Sequence, residues 1–246
     1  MAGCVFCGDT PTTNEHGFPQ WILGVIPGKG SITHSWTAPP GSDSESRTWT
    51  TDDVVTFKAS VVCGPTCNHG WMNDLENRAR PFLEPMIRGY AQTLFPQGAE
   101  VIAYWALKTA MMIDFAQEPE HRSVPESNYP ALFAAKGVLP NTFVWLGACD
   151  FGAGALARPR TLNLNAGDAH PAGFGVTVGV GHLVIEIIRV PVEDGQTVKI
   201  GGQLALALRR LWPYTNVVVW PLPVVLSRDD ASSLGDLIEA TPIHLS

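Results

Sequence analysis

Positive charge is in short supply in this sequence: Lys and Arg together number 16 against 23 Asp and Glu, a formal net charge of −7 over 246 residues. That balance excludes a general electrostatic grip on nucleic acid or on an anionic membrane, so any nucleic-acid site has to be local. The basic groupings, Arg78, Arg80 and Arg88, then Arg158, Arg160, Arg209 and Arg210, read as solvated surface. Long apolar runs are also missing. The longest, residues 101–115, is shorter than the ~20 residues that cross a bilayer, and it carries Lys108 and Asp114, so it reads as a buried helix and no membrane partner is expected. The opening residues, MAGCVFCGDT, contain no basic region followed by an apolar stretch, and the expectation is a cytoplasmic protein. The sequence has no P-loop, no GxGxxG, no GxSxG and no HExxH, which sets aside the nucleotide-binding, serine-hydrolase and zincin chemistries those motifs serve.

Cysteine is scarce as well, five in the whole chain, which argues against a disulfide framework and for reduced thiols. Four of the five are paired by spacing. Cys4 and Cys7 form a CxxC, and Cys63 and Cys67 form a CxxxC. Two such pairs can place four thiolates around one tetrahedral Zn²⁺, and Gly8 and Gly64 beside them allow the tight turns through which backbone N–H groups donate to sulfur. A redox CxxC would need a βαβ setting that the residues around Cys4 lack. With all four positions filled by protein, such a zinc is structural and closed to substrate. Cys149, at the end of the apolar stretch 142–148, reads as a buried small hydrophobe.

The pattern of elements is α+β. Turn signals at Gly89-Tyr90 and Pro96-Gln97-Gly98 divide the chain into an N-terminal module, residues 1–90, and a C-terminal part, residues 91–246. Within the module, residues 27–53 are rich in Gly, Pro, Ser, Thr and Asp and read as a long exposed loop. Residues 54–62 read as a strand, and Trp71, Leu75 and Ala79 give residues 68–80 helical spacing, with Pro81 expected to end or kink the helix. In the second part an apolar helix is expected over 101–116. Ser123 with Glu126 has the form of a capping box for a second helix that stops at Gly137. Strands are expected over 142–149, 173–180, 182–190 and 216–220, with a helix over 203–211. No internal repeat or heptad is present, and no motif in the second part points to chemistry; oligomeric state is not encoded in any pattern found here.

Two stretches carry the chemistry: Asn14-Glu15-His16-Gly17-Phe18-Pro19-Gln20-Trp21 between the cysteine pairs, and Cys67-Asn68-His69-Gly70-Trp71-Met72-Asn73-Asp74-Leu75-Glu76 on the second pair. A zinc would bring them together. An acid beside a histidine, facing an amide at the head of a helix, suits metal-assisted hydrolysis of a phosphodiester: the oxygens hold a hard divalent cation and the neutral imidazole takes a proton from water.

These residues resemble the His-Asn-His (HNH) endonuclease superfamily, whose ββα-metal fold often carries CxxC…(D/E)H..P…CxxCN around a structural zinc. The resemblance covers about residues 3–80 and extends to a bacterial and phage subgroup with EH.FP.W and C…CN.GWM..LE. It implies an N-terminal ββα-metal zinc module followed by a mixed α+β domain, with His16 as general base, Glu15 as ligand of a catalytic Mg²⁺ or Mn²⁺, and Asn68 as the other protein ligand. His69, next to it, is an alternative ligand. The implied partner is nucleic acid, DNA before RNA. Two features differ from the family pattern: the second knuckle is CxxxC, and the middle amide that would orient the histidine is not evident between His16 and Cys63, where His34 is an unconvincing substitute. Glu76, two turns beyond Asn68, could approach the metal, but an i,i+4 pair with Arg80 is the simpler reading. Trp71 and Leu75 read as core beneath the knuckle. The rival to the nuclease is a noncatalytic scaffold on the same zinc module, binding nucleic acid or protein through a degenerate site.

Overall fold

A computed structural model describes residues 3–26, 31–36, 47–51, 58–162, 173–191, 196–234 and 238–242. In chain order its strands are β1 (Thr12–His16), β2 (Ile32–Trp36), β3 (Arg47–Thr51), β4 (Lys58–Cys63), β5 (Gln92–Leu94), β6 (Thr142–Cys149), β7 (Ala155–Leu162), β8 (Gly173–Val180), β9 (Leu183–Arg189), β10 (Gln196–Ile200), β11 (Leu208–Trp212), β12 (Val218–Trp220), β13 (Val225–Leu226) and β14 (Ile238–Pro242). The helices are α1 (Asn73–Ile87), α2 (Pro96–Phe115), α3 (Asn128–Ala135) and α4 (Arg228–Ser233). The class is α+β.

The main sheet runs β11-β6-β9-β8-β7-β2-β3, with β13 alongside β6. Its pairs are antiparallel except β2 with β7 and β13 with β6. Successive side chains of a strand point to opposite faces, and here both faces are covered. Val144, Leu146, Ile185, Ile187, Val176 and Val178 pack on one side with α2. Phe143, Trp145, Val184 and Ile188 pack on the other with Val198 and Leu234. Double coverage explains why β6 and β8 read as continuous apolar runs and why their bounds could be read from sequence. Between the sheet and α1, α2 is buried nearly all round.

Several expectations fail for identifiable reasons. The stretch 27–53 is not wholly a loop: β2 and β3 lie inside it, and their Thr-rich pairing, Thr33↔Thr50 among others, is stabilised by joining β7 at the sheet edge. The β2–β3 ribbon thus belongs to the sheet built by the second part, and one apolar cluster runs from Phe6 and Phe18 through α1 and α2 to β8 and β9. The helix read over 68–80 begins at Asn73, because Gly70 (φ −95°, ψ −116°) breaks the wide turn Gly64–Met72 from it. It continues through Pro81 and Pro85 to Ile87. Pro85 has no N–H for the Pro81 carbonyl, and the Gln92 side chain donates to that oxygen instead, at 3.5 Å.

Ser123 caps nothing. Its backbone N–H and that of Val124 donate to the buried Asp114 carboxylate at 2.8 and 3.0 Å, and α3 starts only at Asn128. Residues 203–211 hold a single 3-10 turn, Gln203–Ala207, and then β11, because the edge of β6 offers a ladder that outweighs helix propensity. β7 escaped sequence reading through its Pro159 and two arginines. Pro159 is tolerated since β2 covers β7 only at residues 155–157. Arg160 is not solvated surface: it is buried, with its guanidinium on Glu186 and on Thr177 Oγ1.

Candidate functional site

The site begins with a ribbon. β1 pairs antiparallel with β4, and the register slips between Thr13↔Val62 and Glu15↔Ala59, which leaves one extra residue on β4. Such bulges re-aim side chains. On β1 itself the side chains alternate, with Asn14 exposed, Glu15 buried and His16 half-buried. Asn68, in the wide turn after β4, donates its amide to Thr13 Oγ1 at 3.1 Å and to the Asn14 carbonyl at 3.0 Å, and Thr13 Oγ1 donates to the Val62 carbonyl at 3.0 Å. The turn is thereby tied across both strands. With its N–H groups on β1, Asn68 has its carbonyl oxygen to offer a ligand.

Next to this ribbon lie three sulfurs. Cys4 and Cys67 Sγ are 3.7 Å apart and Cys67 and Cys7 Sγ 3.6 Å, all three within 4.8 Å of one another. A disulfide would require about 2.05 Å, whereas four thiolates on a tetrahedral zinc at ~2.3 Å per bond stand ~3.8 Å apart. The cluster can hold a metal ion. Cys63, the fourth cysteine expected there, is described only in its backbone, at the end of β4 opposite Thr12; its side chain lies outside the described residues. Gly8 closes the first knuckle with φ +80°, a conformation that favours glycine, and its N–H donates to the Cys4 carbonyl at 2.8 Å. Phe6, between the two cysteines of the knuckle, packs edge-on against Trp71 at 5.5 Å between ring centroids. Trp71 and the fully buried Leu75 are core beneath the knuckle.

A cavity of about 450 Å³ opens between β1, the wide turn and α1. Glu15, His16, Asn68 and His69, the four residues singled out in the sequence, all line it. Helical periodicity brings Asn73, Glu76, Asn77 and Arg80 to the same wall, while Leu75, Ala79 and Leu83 on the opposite face of α1 enter the core. Pro19, Gln20 and Trp21 form the remaining side. Gln20 Nε2 stands 3.4 Å from His16 Nε2. With the amide donating, the ring accepts at Nε2 and carries its proton at Nδ1. No middle amide to orient the histidine was evident from the pattern; the turn Gln20–Gly24 brings the Gln20 amide to the ring from four residues away. His34, the substitute considered, is instead fully buried in β2, stacked on Trp49, with its pKa lowered to about 4 by burial.

Behind the cavity wall the sequence reading missed a residue. Lys108, in the middle of α2, is fully buried, and its ammonium reaches Glu76 Oε1 at 2.8 Å and Glu15 Oε1 at 3.3 Å. Burial works against that charge, and the carboxylates of Glu76 and Glu15 outweigh it, so the lysine is held protonated with its pKa raised. Burial lifts Glu15 above the ordinary carboxylate value against the pull of Lys108. The signal in the sequence was a lone lysine in an apolar helix, which burial obliges to find acids. The expected Glu76–Arg80 pair does not form: Arg80 pairs with Glu84 at 3.0 Å and stacks over Trp21. The donor set on the cavity wall, two carboxylates and several carboxamides, suits a hard divalent cation. Comparison with protein-family models, with curated proteins and with solved structures finds no match to this chain.

Proposed function

We propose that the cavity hydrolyses phosphodiester bonds, as a metal-dependent endonuclease of the HNH type acting on nucleic acid in the cytoplasm, DNA before RNA. One observation carries the reading: His16, Glu15, Asn68 and His69, chosen from two stretches some fifty residues apart, line a single cavity. In this reading the cluster of Cys4, Cys7 and Cys67, completed by Cys63, holds a structural zinc that clamps the two stretches together. Glu15 and Asn68 hold Mg²⁺ or Mn²⁺, with His69 as the alternative to Asn68; the bound ion supplies charge stabilisation to the phosphate and the leaving oxygen.

The chain's own residues do the rest. His16, half-buried and steadied by Gln20, takes the proton of the attacking water; with its proton on Nδ1, its Nε2 is the basic atom, and the Gln20 contact must yield to the water. Arg80, exposed at the rim over Trp21, offers the one guanidinium among the described residues of the cavity wall to a phosphate oxygen. Asn68 ties the wide turn to β1.

The rival is the noncatalytic scaffold, favoured by the ammonium that already occupies the acids and by the acidic net charge. Cleavage of supercoiled DNA, single-stranded DNA and RNA in EDTA, Mg²⁺ or Mn²⁺ separates the two. Metal-dependent cutting that falls by about 10²–10⁴ in His16→Ala supports the nuclease. Nucleic-acid binding without cutting, unaffected by metal, supports the scaffold.

A further inference from the structure

We propose that Lys108 is the resident cation of the site: its ammonium bridges Glu15 and Glu76 from behind, restricts the cavity to one divalent ion, and weakens the binding of that ion. The inference rests on the reading of the cavity as a divalent-cation site, and it adds Glu76 to the ligand side of that site and Lys108 as a positioning residue.

The argument is geometric. Glu15 comes from β1, Glu76 from α1 and Lys108 from α2, so the three converge only in the folded chain. Lys108 has no exposed surface and does not line the cavity, whereas both acids do. Each acid therefore holds the ammonium through Oε1 while lining the cavity. Here one lysine serves two, and both are drawn from the cavity wall.

The charges follow. Two carboxylates and one ammonium leave a single negative charge, where the acids alone would present two. A divalent ion on the cavity side meets that reduced charge with a like charge close behind the same carboxylates, at low local dielectric, where Coulomb terms are strong. A two-metal site needs ions ~3.5–4 Å apart on shared carboxylates, and the position between Glu15 and Glu76 belongs to Nζ.

The test is direct Mn²⁺ binding to zinc-loaded full-length protein, followed by electron paramagnetic resonance of the free ion, in wild type, K108M, E76Q, K108M/E76Q and E15Q, with thermal melts to show folding. Wild type is expected to bind one Mn²⁺, and K108M to bind it about tenfold tighter or more. The same tightening is expected from E76Q to K108M/E76Q, which has one acid fewer to satisfy and keeps the comparison available if K108M does not fold. A merely structural lysine predicts lower melting temperature with unchanged or weaker Mn²⁺ affinity in both backgrounds, and that result overturns the proposal while leaving the cation site intact. Binding by K108M but not by wild type overturns the proposal, which needs one ion in the natural site, and removes the metal-dependent reading with it. No binding by any variant overturns both. Loss of binding in E15Q is expected throughout; its persistence would place the ion elsewhere and overturn the proposal.

Discussion

Glu76 Oε1 and Lys108 Nζ are 2.8 Å apart across the contact of α1 with α2, while Arg80, the nearer basic residue in sequence, turns to Glu84. Lys108 is the more demanding partner because it is wholly buried, and a buried charge left short of partners is far more costly than an exposed one. Glu76→Gln should therefore lower unfolding free energy by about 2 kcal/mol, with Glu15 still paired to the ammonium. Arg80→Ala, which breaks an exposed i,i+4 pair, should change it by less than about 1 kcal/mol. Urea denaturation of both variants makes the comparison.

The cysteine cluster sets a second expectation. Purified protein should carry one zinc per chain by elemental analysis, and Cys67→Ser should lose it, because Cys67 lies between the other two sulfurs at 3.6 and 3.7 Å. Metal binding of this kind is folding free energy. Stripping the zinc with chelator should then destabilise β1, β4 and the wide turn by several kcal/mol and open them to proteolysis, and readdition of Zn²⁺ should restore protection. A metal-free protein of unchanged stability would remove the zinc clamp from the account.

Across β7, β8 and β9, Arg160, Thr177 and Glu186 form a buried polar line, with Thr177 Oγ1 donating to Glu186 Oε2 at 2.6 Å. Arg160→Met leaves Glu186 uncompensated and should cost about 3–5 kcal/mol. The double variant R160M/E186M removes both charges and should recover most of that loss. Thermal melts of the two, side by side, measure the coupling.

His34 gives the fold a defined acid response. Burial lowers its pKa from 6.5 to about 4, so between those values the unfolded chain binds a proton that the folded chain does not. Stability attributable to this group is complete above pH 6.5 and is lost as pH falls toward 4, by about 3 kcal/mol in all. His34→Phe, which keeps a ring stacked on Trp49, should flatten the pH dependence of unfolding in that window. Urea midpoints at pH 7.5, 5.5 and 4.5 for both proteins provide the check.

What local sequence reveals follows from how local the physics is. The apolar runs 142–149 and 173–180 match β6 and β8 because strands covered on both faces must be apolar throughout. The helix α2 was legible for the same reason. β2, β3, β10 and β11 were not, since their residues are polar or helix-favouring and become strands only by finding a partner edge. Pro81 was expected to end or kink α1; the helix runs on through Pro81 and Pro85, and Gln92, from beyond the helix, meets the Pro81 carbonyl that Pro85 cannot.

The candidate site divides along the same line. Cysteine spacing and the EH..P and CN stretches are patterns within short segments, so the sequence by itself determined which residues could gather and that a metal could gather them. The tertiary structure alone decided their partners. It placed Gln20 at His16, buried Glu15 on the inner face of β1, and brought Lys108, 93 positions from Glu15 and 32 from Glu76, beneath both acids. The physical reason is that a fully buried ammonium must meet carboxylates wherever packing puts them, and packing is a property of the whole chain.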